Sequence, residues 1–232
     1  MRKRIWELDA VRGAALIGMI LIHLHYDLVE LFGLWDWNPG WYQLFKNNYG
    51  AVFLLISGVS ATLGNHPVKR GLQVFCCGFL CTAVTAGMYF LGFAGKDIII
   101  YFGVLQCLGC CMVLWHLFRR AKSRLLLVLA AAMVGLGLWL RGVGFSFPWL
   151  TVLGFAPYGF ASSDYFPLFP NLGYFLIGAV LGRKLYAEKA SRFPRENPPA
   201  KFLQWMGRNS LLIYLLHQPI LAAAVGGIAM VC

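Results

Sequence analysis

The residues best suited to chemistry lie in one apolar run near the start of the chain: Arg12, His23, His25 and Asp27. If that run crosses a membrane, its ionisable side chains by default mark a functional site or pathway. Residues four apart on a helix are neighbours, so we expect His23 and Asp27 to touch, whereas His25 points about 200° around the helix from His23. A carboxylate that accepts a hydrogen bond from one imidazole nitrogen makes the other nitrogen a better base. The spacing therefore predicts either a His23–Asp27 general-base dyad or a histidine hydrogen-bonded to a neighbouring helix.

Arg12 lies on the same face of the predicted helix as His23, toward the other end of that helix. It precedes His23 by almost three helical turns, so the two side chains face the same way about 16 Å apart along the axis. A guanidinium near one leaflet and an imidazole near the other would line a channel suited to a long anionic substrate. The alternatives for Arg12 are snorkelling to the headgroups or pairing with Asp9. His25 is expected to pack or to lie at the interface.

Polar groups at depth in other apolar runs are further candidates: Ser57, Gln106, His217 and Gln218. A hydrogen bond to a neighbouring helix is the default for Ser57. A buried amide or imidazole needs partners, so Gln106 and His217 are equally compatible with a site and with helix packing. The cysteines lie mostly in apolar runs without a second Cys or His pair of matching spacing, and no metal site is predicted.

The elements that position these residues are predicted to be membrane-spanning helices. The chain has 232 residues, of which 59% are hydrophobic and 12% charged, whereas a soluble domain carries roughly 25% charge. Apolar runs of about 20 residues are long enough to cross the hydrocarbon layer. We therefore predict an all-α, polytopic transmembrane bundle of about seven spans, at residues 6–32, 45–64, 68–93, 98–118, 124–141, 168–187 and 205–230.

The lysines and arginines predict the orientation, because they concentrate in cytoplasmic loops. With the N-terminus in the cytoplasm and the C-terminus, Cys232, outside, only Lys46, Lys96 and Arg141 lie outside. The cytoplasmic side then holds sixteen cationic residues: Arg2, Lys3, Arg4, Lys69, Arg70, Arg119, Arg120, Lys122, Arg124, Arg183, Lys184, Lys189, Arg192, Arg195, Lys201 and Arg208. Topology thus explains the net charge of +11 better than nucleic-acid binding, which we do not expect.

Two connecting segments have their own character. Residues Gly142 to Pro167 are aromatic and rich in Gly and Pro. Such a segment is too broken to span, and we expect it to be re-entrant or to cover the outer side of the bundle. Residues Arg183 to Arg208 are strongly basic, which suits anionic lipid headgroups or a polyphosphate ligand.

The polar residues of the first predicted helix and four further stretches resemble those of a known protein family. The opening Leu8, Asp9, Arg12, Gly13, His23 and Asp27 resembles the bacterial family related to the catalytic domain of heparan-alpha-glucosaminide N-acetyltransferase. Four further stretches carry the resemblance: FLLISG at 53–58, FGVLQCLG at 102–109, DYFPLFP at 164–170 and GRNSLLIYLLHQP at 207–219. The spacing from Arg12 to His23 is also similar to the Arg–His motif of the wider acyltransferase-three membrane superfamily.

The resemblance implies a single transmembrane acyltransferase-like domain over residues 1–232, in the cell membrane. It implies transfer of an acyl group, most simply acetyl, from cytoplasmic acyl-CoA to a carbohydrate or other envelope acceptor outside. His23 would be the catalytic base, oriented by Asp27, and Arg12 would position the acetyl-CoA donor. We further expect Gln106 and Ser57 on the donor side and His217, Asp164 and Tyr165 on the acceptor side. One departure is that the mammalian enzyme's catalytic His follows further along its first helix, where this chain is apolar up to Leu34.

Two other classes of function remain open from the sequence. A small transporter or flippase would use the same polar channel without covalent chemistry. A non-catalytic membrane subunit would assist a partner. The lipid bilayer is a partner in every case, and self-association into a homo-oligomer is compatible with the sequence.

Overall fold

A computed structural model describes residues 5–193 and 200–230, and throughout those residues the regular structure is helical. The helices are α1 (Trp6–Tyr26), α2 (Gly40–Leu63), α3 (Pro67–Phe90), α4 (Val104–Phe118), α5 (Ser123–Leu140), α6 (Leu168–Leu185), α7 (Ala200–Arg208) and α8 (Ser210–Ala229). A π-helical turn, Asp27–Leu31, continues α1. Among the residues used for the orientation, Arg2, Lys3, Arg4, Arg195 and Cys232 lie outside the described residues.

Four helical segments are long and apolar enough to cross a membrane: Trp6–Leu31, Pro67–Phe90, Ser123–Leu140 and Ser210–Ala229. The apolar helix α4 is shorter, at 15 residues. Helix α2 carries polar residues in its first half, and α6 ends in Arg183 and Lys184. The chain is therefore an all-α membrane protein in its described part, while seven spans and the orientation stay predictions.

The chain folds as two compact units whose boundary falls within α2. The first unit comprises residues 1–53 and 188–232, with α1, the first half of α2, α7 and α8. Within it, α1 and α7 approach closely, since a Cβ added at Gly13 would overlap the carbonyl of Leu203, and one at Gly207 would overlap that of Asp9. Small residues at helix crossings are how membrane helices gain contact.

The second unit, residues 54–187, holds the rest of α2 and α3 to α6. Glycines again mark the helix crossings. A Cβ at Gly58 would overlap the Phe175 carbonyl of α6, and a Cβ at Gly71 would lie 2.8 Å from the carbonyl oxygen of Gly109 in α4. The predicted FLLISG and FGVLQCLG stretches thus contain glycines at which backbones pack.

Three predicted helix boundaries are corrected by the structure. Helix α2 begins at Gly40 instead of residue 45. Helix α4 begins at Val104 instead of residue 98, because the preceding backbone is extended up to Gly103. The single predicted helix 205–230 is two helices, since Asn209 breaks the regular backbone between α7 and α8. If the π-helical turn is counted with α1, the other predicted helices differ from the observed ones by at most three residues at either end.

The segment 142–167 is irregular, as predicted, with one 3-10 turn at Thr151–Leu153. It packs against the strand-like backbone that precedes α4. The N–H of Phe166 donates to the carbonyl of Phe102 at 2.9 Å, and the Ser162 hydroxyl donates to that of Ile99 at 2.8 Å. The segment is therefore part of the second unit, and its place relative to the membrane stays a prediction.

Candidate active site

Two imidazoles meet between α1 and α8. The rings of His23 and His217 lie edge to face, with centroids 4.8 Å apart. The Nδ1 atom of His217 is 2.6 Å from the carbonyl oxygen of Tyr214. Because a carbonyl only accepts, Nδ1 carries the proton, and Nε2 of the neutral ring is left with a bare lone pair. That Nε2 is buried and has no hydrogen-bond partner.

Asp27 has a different partner from the one predicted. Its side chain is completely buried, and its Oδ1 accepts a hydrogen bond of 2.8 Å from the Gln218 amide of α8. Its Oδ2 has no partner. The expected hydrogen bond between His23 and Asp27 is therefore absent from the described residues. Oδ1 of Asp27 accepts from Gln218 instead, and Oδ2 has no hydrogen-bond partner. His23 lies on α1 and Asp27 in the π-helical turn that continues it, and both contact α8.

Three buried atoms in this cluster lack partners: His217 Nε2, Asp27 Oδ2 and Gln218 Oε1. Leaving a buried polar group unpaired costs about 1–3 kcal/mol. Helices that only needed to pack would gain by replacing these side chains with apolar ones. We define the four residues His23, Asp27, His217 and Gln218 as the α1–α8 polar cluster. Its lone pairs can accept a proton or bind a hydroxyl or amine.

Arg12 is held at the other end of α1. Its Nη1 donates to Asp9 Oδ1 at 3.0 Å and to the Gly207 carbonyl at 3.3 Å. Arg208 Nε also lies 3.6 Å from Asp9 Oδ2. The pairing with Asp9, one of the alternatives from the sequence, is therefore present. The guanidinium remains partly exposed, at 25% of its side chain, so a role in donor binding stays a prediction.

In the second unit, Gln106 is fully paired. Its Oε1 accepts the N–H of Gly103 at 3.0 Å, and its Nε2 donates to the Gly78 carbonyl at 3.0 Å and to the Thr82 hydroxyl at 2.8 Å. These bonds cap the start of α4 and join it to α3. The buried amide that the sequence marked as a site candidate is thus satisfied by helix packing.

Asp164 and Tyr165 also make structural hydrogen bonds. Asp164 Oδ2 accepts the N–H of Val104 at 3.0 Å, at the positive end of α4. The Tyr165 hydroxyl donates to the Thr151 carbonyl at 2.6 Å, and burial raises the pKa of Tyr165 to about 12. Ser57 is half-buried on α2 beside Gly58. Their predicted contacts with donor or acceptor stay predictions.

Cysteines are side chains that could bind a metal ion. Among the residues that the structure describes, no group of three or more His, Cys, Asp or Glu side chains is arranged to hold a metal ion. The six cysteines that the structure describes have free thiols, including those of Cys107, Cys110 and Cys111. This arrangement is consistent with cysteines as packing residues between helices.

The sequence did not predict the hydrogen bond between Gln218 and Asp27. The residue was visible as a polar side chain at depth next to His217, but nothing in the pattern showed that its amide reaches Asp27. A signal was available, since His217 and Gln218 are adjacent within a long apolar helix, where two neighbouring polar residues are costly. The tautomer of His217 depends on the Tyr214 carbonyl and could be known only from the structure.

The described residues form an all-helical protein with a histidine pair between two helices that are long and apolar enough to cross a membrane. A comparison with protein families matches residues 4–219 to the catalytic domain of heparan-alpha-glucosaminide N-acetyltransferase. The chain belongs to that family. The family implies acyltransferase activity in general, in a membrane protein. Neither the comparison with curated proteins nor the comparison with solved structures found a match.

Proposed function

We propose that the protein transfers an acyl group, most simply acetyl, from cytoplasmic acyl-CoA to a carbohydrate or other envelope acceptor on the outer side of the cell membrane. Family membership supports the reaction class. The observation that carries the proposal is the His23–His217 pair, in which a buried imidazole nitrogen has a bare lone pair and no partner. A membrane protein keeps such a group where a substrate uses it.

The chemistry uses the two imidazoles together, with His23 as the base and His217, whose Nε2 carries the bare lone pair, beside it. The acceptor oxygen or nitrogen forms a bond to the thioester carbonyl carbon, the carbon–sulfur bond breaks, and CoA leaves as the thiol. The imidazole of His23, with His217 beside it, takes the proton of the acceptor and returns it to the departing sulfur. In a second route His23 first takes the acyl group itself and then passes it to the acceptor. Both routes need the same residues.

Asp27 and Gln218 position this pair. The Gln218 amide holds Asp27 Oδ1, and Gln218 follows His217 directly on α8. We assign Asp27 the role of fixing α8 at this point through Gln218, and so of fixing the His217 ring. The predicted direct contact between Asp27 and His23 is not part of this mechanism.

The cationic residues fit a phosphate-bearing donor. In the second unit, Arg119, Arg120 and Lys122 are exposed between α4 and α5, and Arg124 is exposed in the first turn of α5. Arg183 fixes this loop by donating to the carbonyls of Ala121 and Arg119 at 2.7 and 2.8 Å. Exposed arginines on a fixed loop suit the phosphates of CoA.

The remaining predicted roles are part of the proposal. Arg12, Gln106 and Ser57 would serve the donor, and His217, Asp164 and Tyr165 the acceptor. For Gln106 and Asp164, the bonds around α4 support an indirect role, in which they set the start of that helix. Residues 1–232 would act as one functional domain without a metal ion.

The test uses protein reconstituted in lipid vesicles, with radiolabelled acetyl-CoA on one side and a panel of envelope sugars on the other. We expect His23→Ala to lower transfer about 10²- to 10⁴-fold, the usual contribution of a general base. His116→Ala is the matched control, because His116 is exposed at the end of α4. Its transfer should equal that of the wild type.

Other outcomes would favour the rival functions. Movement of intact acetyl-CoA or sugar that survives His23→Ala would indicate a transporter or flippase. Neither transfer nor movement, in protein that unfolds cooperatively on heating, would indicate a subunit that assists a partner. Either result would refute the proposal.

A further inference from the structure

The short helix α7 has one face packed on the protein and an opposite face that is exposed. The packed side contains Gln204, Met206 and Gly207, which are buried. The exposed residues lie on one stripe of the helix, because they recur at intervals of three and four. We call them the basic aromatic face of α7: Lys201, Phe202, Trp205 and Arg208.

The aromatic rings of this face forgo the free energy of burial if water surrounds them. Phe202 and Trp205 are 60% and 57% exposed, and their rings are nearly parallel, at an interplanar angle of 20°. A third ring, that of Phe193, is also exposed and packs against Trp6 at the start of α1. Aromatic and cationic residues together on the outer side of a helix are typical of helices that lie in a membrane interface.

The contacts of α7 place it at the ends of two candidate spans. Only Asn209 separates α7 from α8, which begins at Ser210 and is long and apolar enough to cross a membrane. A Cβ at Gly207 would overlap the carbonyl of Asp9, near the start of the other candidate span, Trp6–Leu31. The N-terminal ends of both spans therefore meet at α7. In a bilayer, the ends of spanning helices lie at the level of the headgroups.

The exposed charge of α7 is positive, since the helix carries two cationic residues and no acidic one. Lys201 is exposed, and Arg208 keeps 43% of its side chain exposed although its Nε lies 3.6 Å from Asp9 Oδ2. Arg192, in the segment before α7, is exposed as well, and its backbone N–H donates to Glu7 Oε1 at 2.8 Å. The Glu7 and Asp9 side chains are mostly buried, so the cations determine the charge that a ligand meets.

The structure selects between the two ligands that suit the basic segment by sequence. A polyphosphate would use the cations and leave the rings of Phe202 and Trp205 in water. A bilayer surface with anionic headgroups would use both, because long cationic side chains reach the phosphates while the rings enter the upper acyl chains. We propose that the basic aromatic face of α7 binds the headgroups of anionic phospholipids and holds α7 in the membrane surface. This inference goes beyond the proposed function, because it needs neither acyl donor nor acceptor.

The experiment replaces Phe202 by the photoreactive residue p-benzoylphenylalanine, which the exposed position accommodates. The protein is reconstituted in vesicles of equal parts phosphatidylglycerol and phosphatidylcholine and irradiated, and mass spectrometry identifies the lipid joined to residue 202. We expect phosphatidylglycerol adducts to exceed phosphatidylcholine adducts about fivefold or more, since one cation near an anionic surface contributes about a fivefold preference. Adding Lys201→Gln should lower the ratio about fivefold. Lys96→Gln, which removes an exposed cation in the second unit, should leave it unchanged.

Two further controls keep the result specific. The same photoreactive residue in place of Phe79, which is 55% exposed in the middle of α3, should react with the acyl chains of both lipids equally. His23→Ala should abolish acyl transfer yet leave the adduct ratio at position 202 intact. That outcome separates this inference from the proposed function.

Three results would overturn the proposal. The first is equal yields of the two adducts at position 202, and the second is the absence of any lipid adduct from protein that melts cooperatively. The third is loss of the phosphatidylglycerol adduct when CoA is added, with no loss in sulfate of the same ionic strength. That result would assign the cations of α7 to a polyphosphate ligand.

Discussion

The two units differ in where buried polar atoms lack hydrogen-bond partners. In the second unit, both ends of the Gln106 amide are paired, with the backbone at Gly103 and Gly78 and with the Thr82 hydroxyl. In the first unit, the α1–α8 polar cluster leaves buried atoms without partners, and so do His25 and Tyr42. Throughout the described residues, the buried side-chain atoms without a partner all belong to the first unit: His25 Nδ1, Asp27 Oδ2, Tyr42 Oη, Gln204 Nε2, His217 Nε2 and Gln218 Oε1.

This contrast separates two uses of a polar side chain within an apolar protein. A fully paired amide stabilises a helix start and a helix crossing, and replacing it should change stability. An unpaired imidazole or carboxylate costs free energy in the folded state, and replacing it should change function more than stability. An isolated polar residue in an apolar run is the sequence pattern of both kinds of residue, so the sequence alone does not separate the structural role from the functional one.

The largest expected effect is that of Gln106→Leu on stability. The change leaves the N–H of Gly103 without its partner and removes two further hydrogen bonds, so we expect a loss of about 3 kcal/mol in the free energy of unfolding. Thermal unfolding in micelles measures it. The matched control is Gln73→Leu, at an exposed position of α3, which should be nearly neutral. An equal melting temperature for both variants would contradict the structural role of Gln106.

Gln218→Leu should lower activity more than stability, in contrast to Gln106→Leu. It leaves Asp27 without its hydrogen bond, and a hydrogen bond within a protein contributes about 0.5–1.5 kcal/mol. We expect kcat for acyl transfer to fall about tenfold to a hundredfold, with a changed pH profile because the His217 ring loses its fixed position. The melting temperature should fall less than in Gln106→Leu. A drop in stability with an unchanged pH profile would make Gln218 another packing residue and remove the contrast.

The smallest effect is expected for Tyr165→Phe, which removes the hydrogen bond to the Thr151 carbonyl. We expect a loss of about 1 kcal/mol. Because burial raises the pKa of Tyr165 from its ordinary value of 10 to about 12, the wild type should hold this advantage fully below pH 10. It should lose the advantage as the pH rises through about 12. A difference between the two proteins that does not change over this range would show that the hydroxyl is not buried.

The sequence predicted the helices well where apolar runs are bounded by clear breakers. Helix α3 begins at Pro67 and α5 directly after Lys122, each within a residue of the prediction. It failed where polar contacts decide the boundary. Gln106 and Asp164 fix the start of α4 at Val104, and a hydropathy window does not register such contacts.

The candidate site was predicted by residue type but not by contact. His23, Asp27 and His217 were named from their polarity and their position in apolar runs. Helical spacing predicts that His23 and Asp27 lie near each other, and each of them contacts α8. The choice of partner depends on α8, which brings His217 to His23 and Gln218 to Asp27. Such contacts between helices distant in the chain do not follow from helical periodicity.

The most direct measurement is the single-turnover rate of acyl transfer in His23→Ala, His217→Ala and the double variant. If the two imidazoles act as one unit, each single change should lower the rate about 10²-fold or more, and the double variant should lose little beyond the worse single one. Transfer at the wild-type rate in His23→Ala, from protein that melts normally, would contradict the claim that this histidine pair carries the chemistry.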